Sequence, residues 1–271
     1  MLSAAQHEAV TSEAARPLQI LAGPGSGKTR VLTSRVAHLV RDSAAPIAPE
    51  RCVVVTFTNR AANEMRARLE TMIGADRTRR LVLGTFHAVC VRFLRRWGTR
   101  LGLDPRFTIA DTDDARRLLR DVDRDAPVDA TLAAISRAKA HGWTPDELRA
   151  SAQHAPGSPA HTEHLALCRT YAAYQQQLRT SHALDFDDLL LLGVRLFREH
   201  PELTTHIDHV LVDEFQDTNA VQYELLRRLS RHVSVVGDPD QSIYSWRHAD
   251  VRHIERCLLY TSPSPRDQRG S

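Results

Sequence analysis

Leu18-Gln19-Ile20-Leu21-Ala22-Gly23-Pro24-Gly25-Ser26-Gly27-Lys28-Thr29-Arg30 is the stretch on which the reading of the chain turns. An apolar run breaks into glycines and a proline, and after Thr29 the residues Val31, Leu32, Val36 and Leu39 recur at helical spacing. The pattern predicts strand, tight loop, helix. Backbone N–H groups of such a loop and of the helix's first turn converge on an anion. Lys28 adds a point charge for the β- and γ-phosphates of a nucleotide, and the Thr29 hydroxyl is a ligand for Mg2+. Ala22 stands where the strict motif has glycine, a difference of one methyl at the loop's entry. A turn that merely joined strand to helix would not account for Lys28 followed by Thr29.

Working outward from the loop, Ser3 to Val10 reads as a short helix carrying Gln6, whose amide either reads an adenine edge or is simply solvated. Downstream, Pro46-Ile47-Ala48-Pro49 marks a loop, and Cys52 to Thr56 is an apolar strand of the kind buried in a parallel sheet. Phe57-Thr58-Asn59 then opens a helix with Met65, Leu69 and Met72 on one face and Asn59 as candidate N-cap. Phe57 suits either base stacking or core packing. A third strand, Leu81 to Leu83, runs into Gly84-Thr85-Phe86-His87 and a helix that turns Val89, Phe93 and Leu94 inward. Repeated strand-to-helix junctions with small or hydrogen-bonding residues match open α/β sheets, which bind ligands at the carboxyl ends of their strands.

Between about Arg95 and Asp185 the texture becomes helical, as for an inserted domain. His161 and His164 have metal-like spacing without a third ligand nearby and read as surface histidines. Leu184 to Leu190 starts an apolar helix, whose early acids, Asp185, Asp187 and Asp188, suit the helix dipole. Sheet texture returns at His209-Val210-Leu211-Val212, followed at once by Asp213-Glu214-Phe215-Gln216-Asp217. A carboxylate directly after an apolar strand is where a P-loop enzyme holds Mg2+, and the adjacent glutamate can orient and deprotonate an attacking water. The last buried strand, Val233 to Val236, leads into Gly237 to Arg247. There Gln241 can bond the γ-phosphate or its water, while Tyr244 and Trp246 suit stacking on unpaired bases.

Composition sets outer bounds. With 271 residues, 42% of them hydrophobic, the chain can bury a substantial core and accommodate two domains. No apolar run approaches membrane-spanning length and the start lacks a leader pattern, so the expectation is a cytoplasmic protein, nucleoid-associated in a bacterium. Cys52, Cys90, Cys168 and Cys257 lack paired spacing and read as reduced core thiols. Lys28 and Lys139 are the only lysines, so arginine supplies nearly all of the 36 basic residues, which stand against 33 acidic ones for a net charge of +3. That balance lacks the charge excess of a dedicated nucleic-acid binder.

Together these blocks resemble the superfamily 1 DNA helicases of the UvrD/Rep/PcrA type, from Leu2 to about Arg256. The matching segments are Leu2 to Gln6, Ala22 to Thr29, Thr56 to Ala62, Gly84 to Ala88, Asp213 to Asn219 and Gly237 to Arg247. Alanine at position 22 looks like that family's usual form. The resemblance implies a RecA-like P-loop parallel sheet flanked by helices with an inserted all-helical subdomain. It divides the chain into a first motor part (1–88), the insertion (89–202), a second motor part (203–256) and a tail (257–271) that fits neither the family nor a folded element. The tail reads as disordered, as a truncated or misassembled reading frame would leave it.

The implied activity is ATP-driven 3′ to 5′ translocation on single-stranded DNA and duplex separation, with ATP and Mg2+ as cofactors. Lys28, Glu214 and Gln241 would be catalytic, and Gln6, Ala22, Gly23, Pro24, Gly25, Ser26, Gly27, Lys28, Thr29 and Arg30 would hold the nucleotide. Thr29 and Asp213 would hold the metal. Phe57, Thr58, Asn59, Thr85, His87, Phe186, Tyr244, Trp246 and Arg247 would line the DNA track, with single strands and single-strand/duplex junctions as partners. Repair or replication proteins would be further partners. His248 departs from the expected glycine. Such enzymes carry a second motor domain that supplies arginines to the γ-phosphate, and none of it is in this sequence. The expectation is therefore poor turnover by the chain alone. Two alternatives stay open: a motor fragment of a helicase-nuclease subunit, and a non-catalytic, ATP-gated single-strand-binding module.

Overall fold

The computed structural model describes residues 2–14, 17–152, 155, 157–230 and 232–238. In chain order the elements are α1 (Ala4–Thr11), β1 (Leu18–Leu21), α2 (Lys28–Ala37), β2 (Cys52–Thr56), α3 (Asn59–Ile73), α4 (Ala75–Arg80), β3 (Val82–Thr85), α5 (Phe86–Trp97), β4 (Thr108–Ile109), α6 (Thr112–Val122) and α7 (Val128–Ala140). They continue with α8 (Pro145–Ala150), α9 (Pro159–Thr180), β5 (Ala183–Leu184), α10 (Phe186–Glu199), β6 (His209–Val212), α11 (Ala220–Leu229) and β7 (Val233–Gly237). The chain forms two compact units, one holding the described residues up to Val89 and from Phe197 onward, the other Cys90–Leu196.

Among the described residues the first unit is built on a five-stranded sheet in the order β1-β7-β6-β2-β3, with every pairing parallel. Cys52 to Thr56 and His209 to Val212 are buried along their whole length, as the apolar runs Cys52–Val55 and Val210–Val212 require of strands covered on both faces. Leu32, Val36 and Leu39 join Val54, Met65, Leu69, Leu211 and Val236 in one core. Leu32 and Val36 thus lie on the face of α2 that meets the sheet, with Leu39 just past the end of the helix. This is the RecA-like α/β architecture.

Two local boundaries differ from the sequence reading. The cap of α3 is Thr58, whose side chain accepts from the Ala61 N–H, and Asn59 is the first helical residue. Strand β3 extends through Gly84 and Thr85, which pair with Val55 and Thr56. A methyl group on Gly84 would lie 3.0 Å from Ala88 Cβ, so glycine lets α5 leave the strand closely.

Among its described residues the second unit is helical apart from one two-residue parallel ladder, Thr108-Ile109 against Ala183-Leu184. Leu119, Ile135, Cys168, Tyr171, Tyr174 and Leu178 form its core. The acids opening α10 do more than answer the helix dipole. Lys139 Nζ lies 2.6 Å from Asp185 Oδ2 and 2.8 Å from Asp188 Oδ1, with the lysine side chain fully buried. Tyr174 donates to Asp185 and Gln175 to Asp188, so the charges are enclosed by hydrogen bonds. His161 and His164 are half-buried on α9, and His164 Nε2 sits 2.8 Å from the Leu148 carbonyl. No group of three metal-ligating side chains occurs among the described residues. Cys52, Cys90 and Cys168 are free and buried; Cys257 and the rest of 239–271 lie outside the described residues. No described helix is long and apolar enough to cross a membrane.

Candidate functional site

Because β1, β7 and β6 are neighbours and parallel, the loops leaving their carboxyl ends meet. Leu21 is in register with Gly237, and Val212 with Val235. The loop after β1 folds back with Gly25 and Gly27 at φ of +70° and +83°, conformations that only glycine adopts without strain. Gly27 serves as N-cap of α2, which places Lys28 and Thr29 in its first turn. Ser26 Oγ donates to the Gly23 carbonyl at 2.7 Å and closes the loop.

Lys28 Nζ donates to the carbonyls of Ala22 (3.0 Å) and Gly23 (3.3 Å) and to Asp238 Oδ2 (3.2 Å). The pair is buried, with the lysine 8% and the aspartate 2% exposed. Ala22 contributes through its backbone: its N–H donates to the Gly237 carbonyl and its own carbonyl receives Lys28. Thr29 Oγ1 donates to Asp213 Oδ2 at 3.3 Å. Burial, then the neighbouring Glu214 carboxylate, pushes the Asp213 carboxyl up to about 6.

Glu214 follows in the left-handed region at φ 49°, ψ 46°, a strained setting for a non-glycine residue. Gln216 Nε2 donates to Glu214 Oε2 at 2.8 Å, and Gln216 Oε1 accepts from the Asp238 N–H at 3.1 Å. A chain of polar contacts therefore links Glu214 through Gln216 and Asp238 to Lys28. Sequence reasoning singled out neither Gln216 nor Asp238 as a functional residue, although both stand in the quoted blocks.

A cavity of about 660 Å³ opens here, lined by Gly23 through Arg30, Arg68 and Glu214. That volume lies within the range of pockets for nucleotide-sized ligands. The donor set fits a polyphosphate with a hard divalent cation: backbone N–H groups and an ammonium for the phosphates, a hydroxyl beside a carboxylate for the metal. Gln6 Nε2 donates to the Ser26 carbonyl at 2.9 Å and its Oε1 accepts from the Ser3 N–H at 2.9 Å. One amide proton and one lone pair remain, a donor-acceptor pair of the kind an adenine edge accepts.

At the other half of the same sheet edge, β2 leads into Phe57, Thr58 and Asn59, and the adjacent β3 ends in Thr85, followed by Phe86 and His87. Phe57 is half-buried and meets Phe86 edge-to-face at 5.4 Å, while Thr58 and Asn59 are exposed. Thr85 Oγ1 accepts from the Ala88 N–H, and burial lowers the pKa of His87. In the helical unit Phe186 is 50% exposed, an uncommon setting for a large apolar ring. Gln241, Tyr244, Trp246, Arg247 and His248 lie outside the described residues.

Residues 2–258 match the family described as UvrD/REP helicase N-terminal domain. The chain is 39% identical over 268 residues to the ATP-dependent DNA helicase PcrA of Staphylococcus epidermidis, covering 93% of this chain and 35% of that protein. It is 42% identical over 252 residues to PcrA of Leuconostoc citreum (88% and 32%) and 39% identical over 264 residues to PcrA of Staphylococcus aureus (92% and 34%). The chain thus spans about a third of the length of these relatives.

Proposed function

The chain belongs to the UvrD/REP helicase N-terminal-domain family, and from that premise we propose that it is the first motor domain of an ATP-dependent 3′ to 5′ DNA helicase, bearing the nucleotide site and part of the DNA track. One observation carries the reading: Lys28, Thr29, Asp213 and Asp238 converge at one sheet edge, beside a cavity bounded by the glycine loop and Glu214. In this reading residues 1–88 and 203–256 are the two parts of the motor domain and 89–202 its insertion. The separation of the described chain into units at Val89 and Phe197 supports that division.

In the proposed cycle the loop from Gly23 to Gly27 holds the β-phosphate through its N–H groups, and Lys28 exchanges its carbonyl partners for phosphate oxygens. Thr29 and Asp213 would hold Mg2+, which would offset the negative charge of the phosphates. Glu214, steadied by Gln216, orients the attacking water and takes its proton. Gln241 would sense the γ-phosphate or its water. Phe57, Thr58, Asn59, Thr85, His87 and Phe186, with Tyr244, Trp246 and Arg247, contact the single strand. Aromatic stacking of this kind is tolerant of sequence, as translocation requires. The relatives are about three times as long as the matched stretch, room enough for a second motor domain with γ-phosphate arginines, and a first motor domain assayed without such a partner is expected to turn over slowly. The protein acts in the bacterial cytoplasm at single-strand/duplex junctions.

Phosphate release by this chain and by Lys28→Ala, each with and without single-stranded DNA, tests the proposal. The expected result is slow, DNA-stimulated release that Lys28→Ala abolishes. Nucleotide-dependent DNA affinity with no release at all would favour an ATP-gated binding module, and rapid unwinding by this chain would refute the incomplete-motor reading.

A further inference from the structure

Helix α1 carries Gln6 to the glycine loop, yet of its eight residues only Val10 is buried. So short a helix is marginal by itself, and one buried side chain does little to dock it. Polar contacts hold it in place. At one end is the Gln6 contact with the Ser26 carbonyl. At the other is Arg35, on α2, a side chain with no exposed surface.

Arg35 Nη1 donates to the carbonyls of Ala9 (3.0 Å), Val10 (3.2 Å) and Ser12 (3.1 Å) and to Ser12 Oγ (3.0 Å). These carbonyls end α1 and have no continuing helix to satisfy them. The last turn of α1 contains no basic residue, so Arg35 supplies from a neighbouring helix the cation that a helix C-terminus favours. Arg35 Nε donates to Ser234 Oγ on β7 at 2.8 Å, and the same hydroxyl lies 2.8 Å from His209 Nε2 on β6. Burial and the guanidinium keep that imidazole neutral, with a pKa near 3. Burial draws Arg35 itself down to about 10, which leaves it charged at neutral pH.

We infer that Arg35 is a positioning residue for base recognition: by clamping the C-terminus of α1 to α2 and β7, it holds Gln6 at the mouth of the triphosphate loop and so sets the preference for adenine. The inference rests on Gln6 as the base-reading residue. Nothing in the motif pattern marks Arg35, because its role exists only once α1 has folded over α2.

The test is equilibrium binding of fluorescent ATP and GTP analogues to the full chain and to the Gln6→Ala, Arg35→Met, Arg35→Lys and Gln6→Ala/Arg35→Met variants. Gln6→Ala is expected to lower the ATP-to-GTP affinity ratio by roughly tenfold, the value of one good hydrogen-bonded base edge. Arg35→Met should lower it comparably, with little further loss in the double variant. Arg35→Lys, whose ammonium cannot span Ser234 and three carbonyls at once, should fall between, and it decides the matter if Arg35→Met does not fold. A ratio unchanged in the Arg35 variants while Gln6→Ala lowers it overturns this inference alone. A uniform loss of both affinities in those variants would mark Arg35 as merely structural and overturn it too. No effect of Gln6→Ala would overturn the reading of Gln6 and this inference with it.

Discussion

Replacing Asp213 by asparagine should stabilise the protein. The carboxyl is buried, accepts from Thr29 Oγ1 and the Glu214 N–H, and is raised from 3.8 to about 6 by burial and then by Glu214. A carboxyl that holds its proton more tightly when folded makes the folded state lose stability as pH climbs from the unfolded pKa to the folded one. Above about pH 6 the full cost applies. The gap from 3.8 to about 6 is worth about 3 kcal/mol, at about 1.4 kcal/mol per pH unit. Asparagine keeps the size and an acceptor oxygen without the charge, so Asp213→Asn should gain about 2 to 3 kcal/mol at about pH 7.5 and nothing near pH 4. Urea unfolding in the presence of a chelator, without nucleotide, measures this across that range. A gain independent of pH, or no gain at about pH 7.5, would show that Asp213 is not under electrostatic stress. The same variant should lose Mg2+-dependent nucleotide affinity, the expected trade between stability and a site built for a cation.

Lys139→Met strands Asp185 and Asp188 in a buried setting and should cost about 3 to 5 kcal/mol in urea unfolding; a loss below about 1 kcal/mol would mean water reaches the pair. In Gly237→Ala the new methyl would lie 2.8 Å from Gln216 Oε1, so Gln216 must release the Asp238 N–H. The expected cost is about 1 to 3 kcal/mol, together with weaker triphosphate binding by fluorescence titration. Burial pushes the Cys52 and Cys90 thiols up to about 12. Both should escape iodoacetamide in the native protein and react after unfolding, as peptide mass mapping would show.

Much of the framework was legible because it depends on local pattern. Cys52 to Thr56 had to be a doubly covered strand, and the helical spacing after Thr29 had to face a core; both follow from side-chain period and polarity alone. The tight glycine loop was equally readable, but that Gly25 and Gly27 are the ones at positive φ came only with the structure. Cap identity was less so: Thr58 and Asn59 are both good N-caps, and only the path of the chain leaving β2 selects the threonine. Arginine on α2 and lysine on α7 gave no signal of burial, since long charged side chains on helices ordinarily reach water.

From its order of residues alone the chain determined a parallel α/β sheet, a phosphate-cradling loop and a carboxylate after a distant strand, because each is a property of a few consecutive side chains. Which partners those groups meet was decided only by tertiary structure. The strand order sets β7 between β1 and β6 and so brings Asp238 to Lys28 and Asp213 to Thr29 across some two hundred residues of sequence. Packing within each unit turned Arg35 and Lys139 inward, where each found oxygen acceptors from remote elements. A buried charge must be matched by whatever surrounds it, and its surroundings are set by the way separate segments pack.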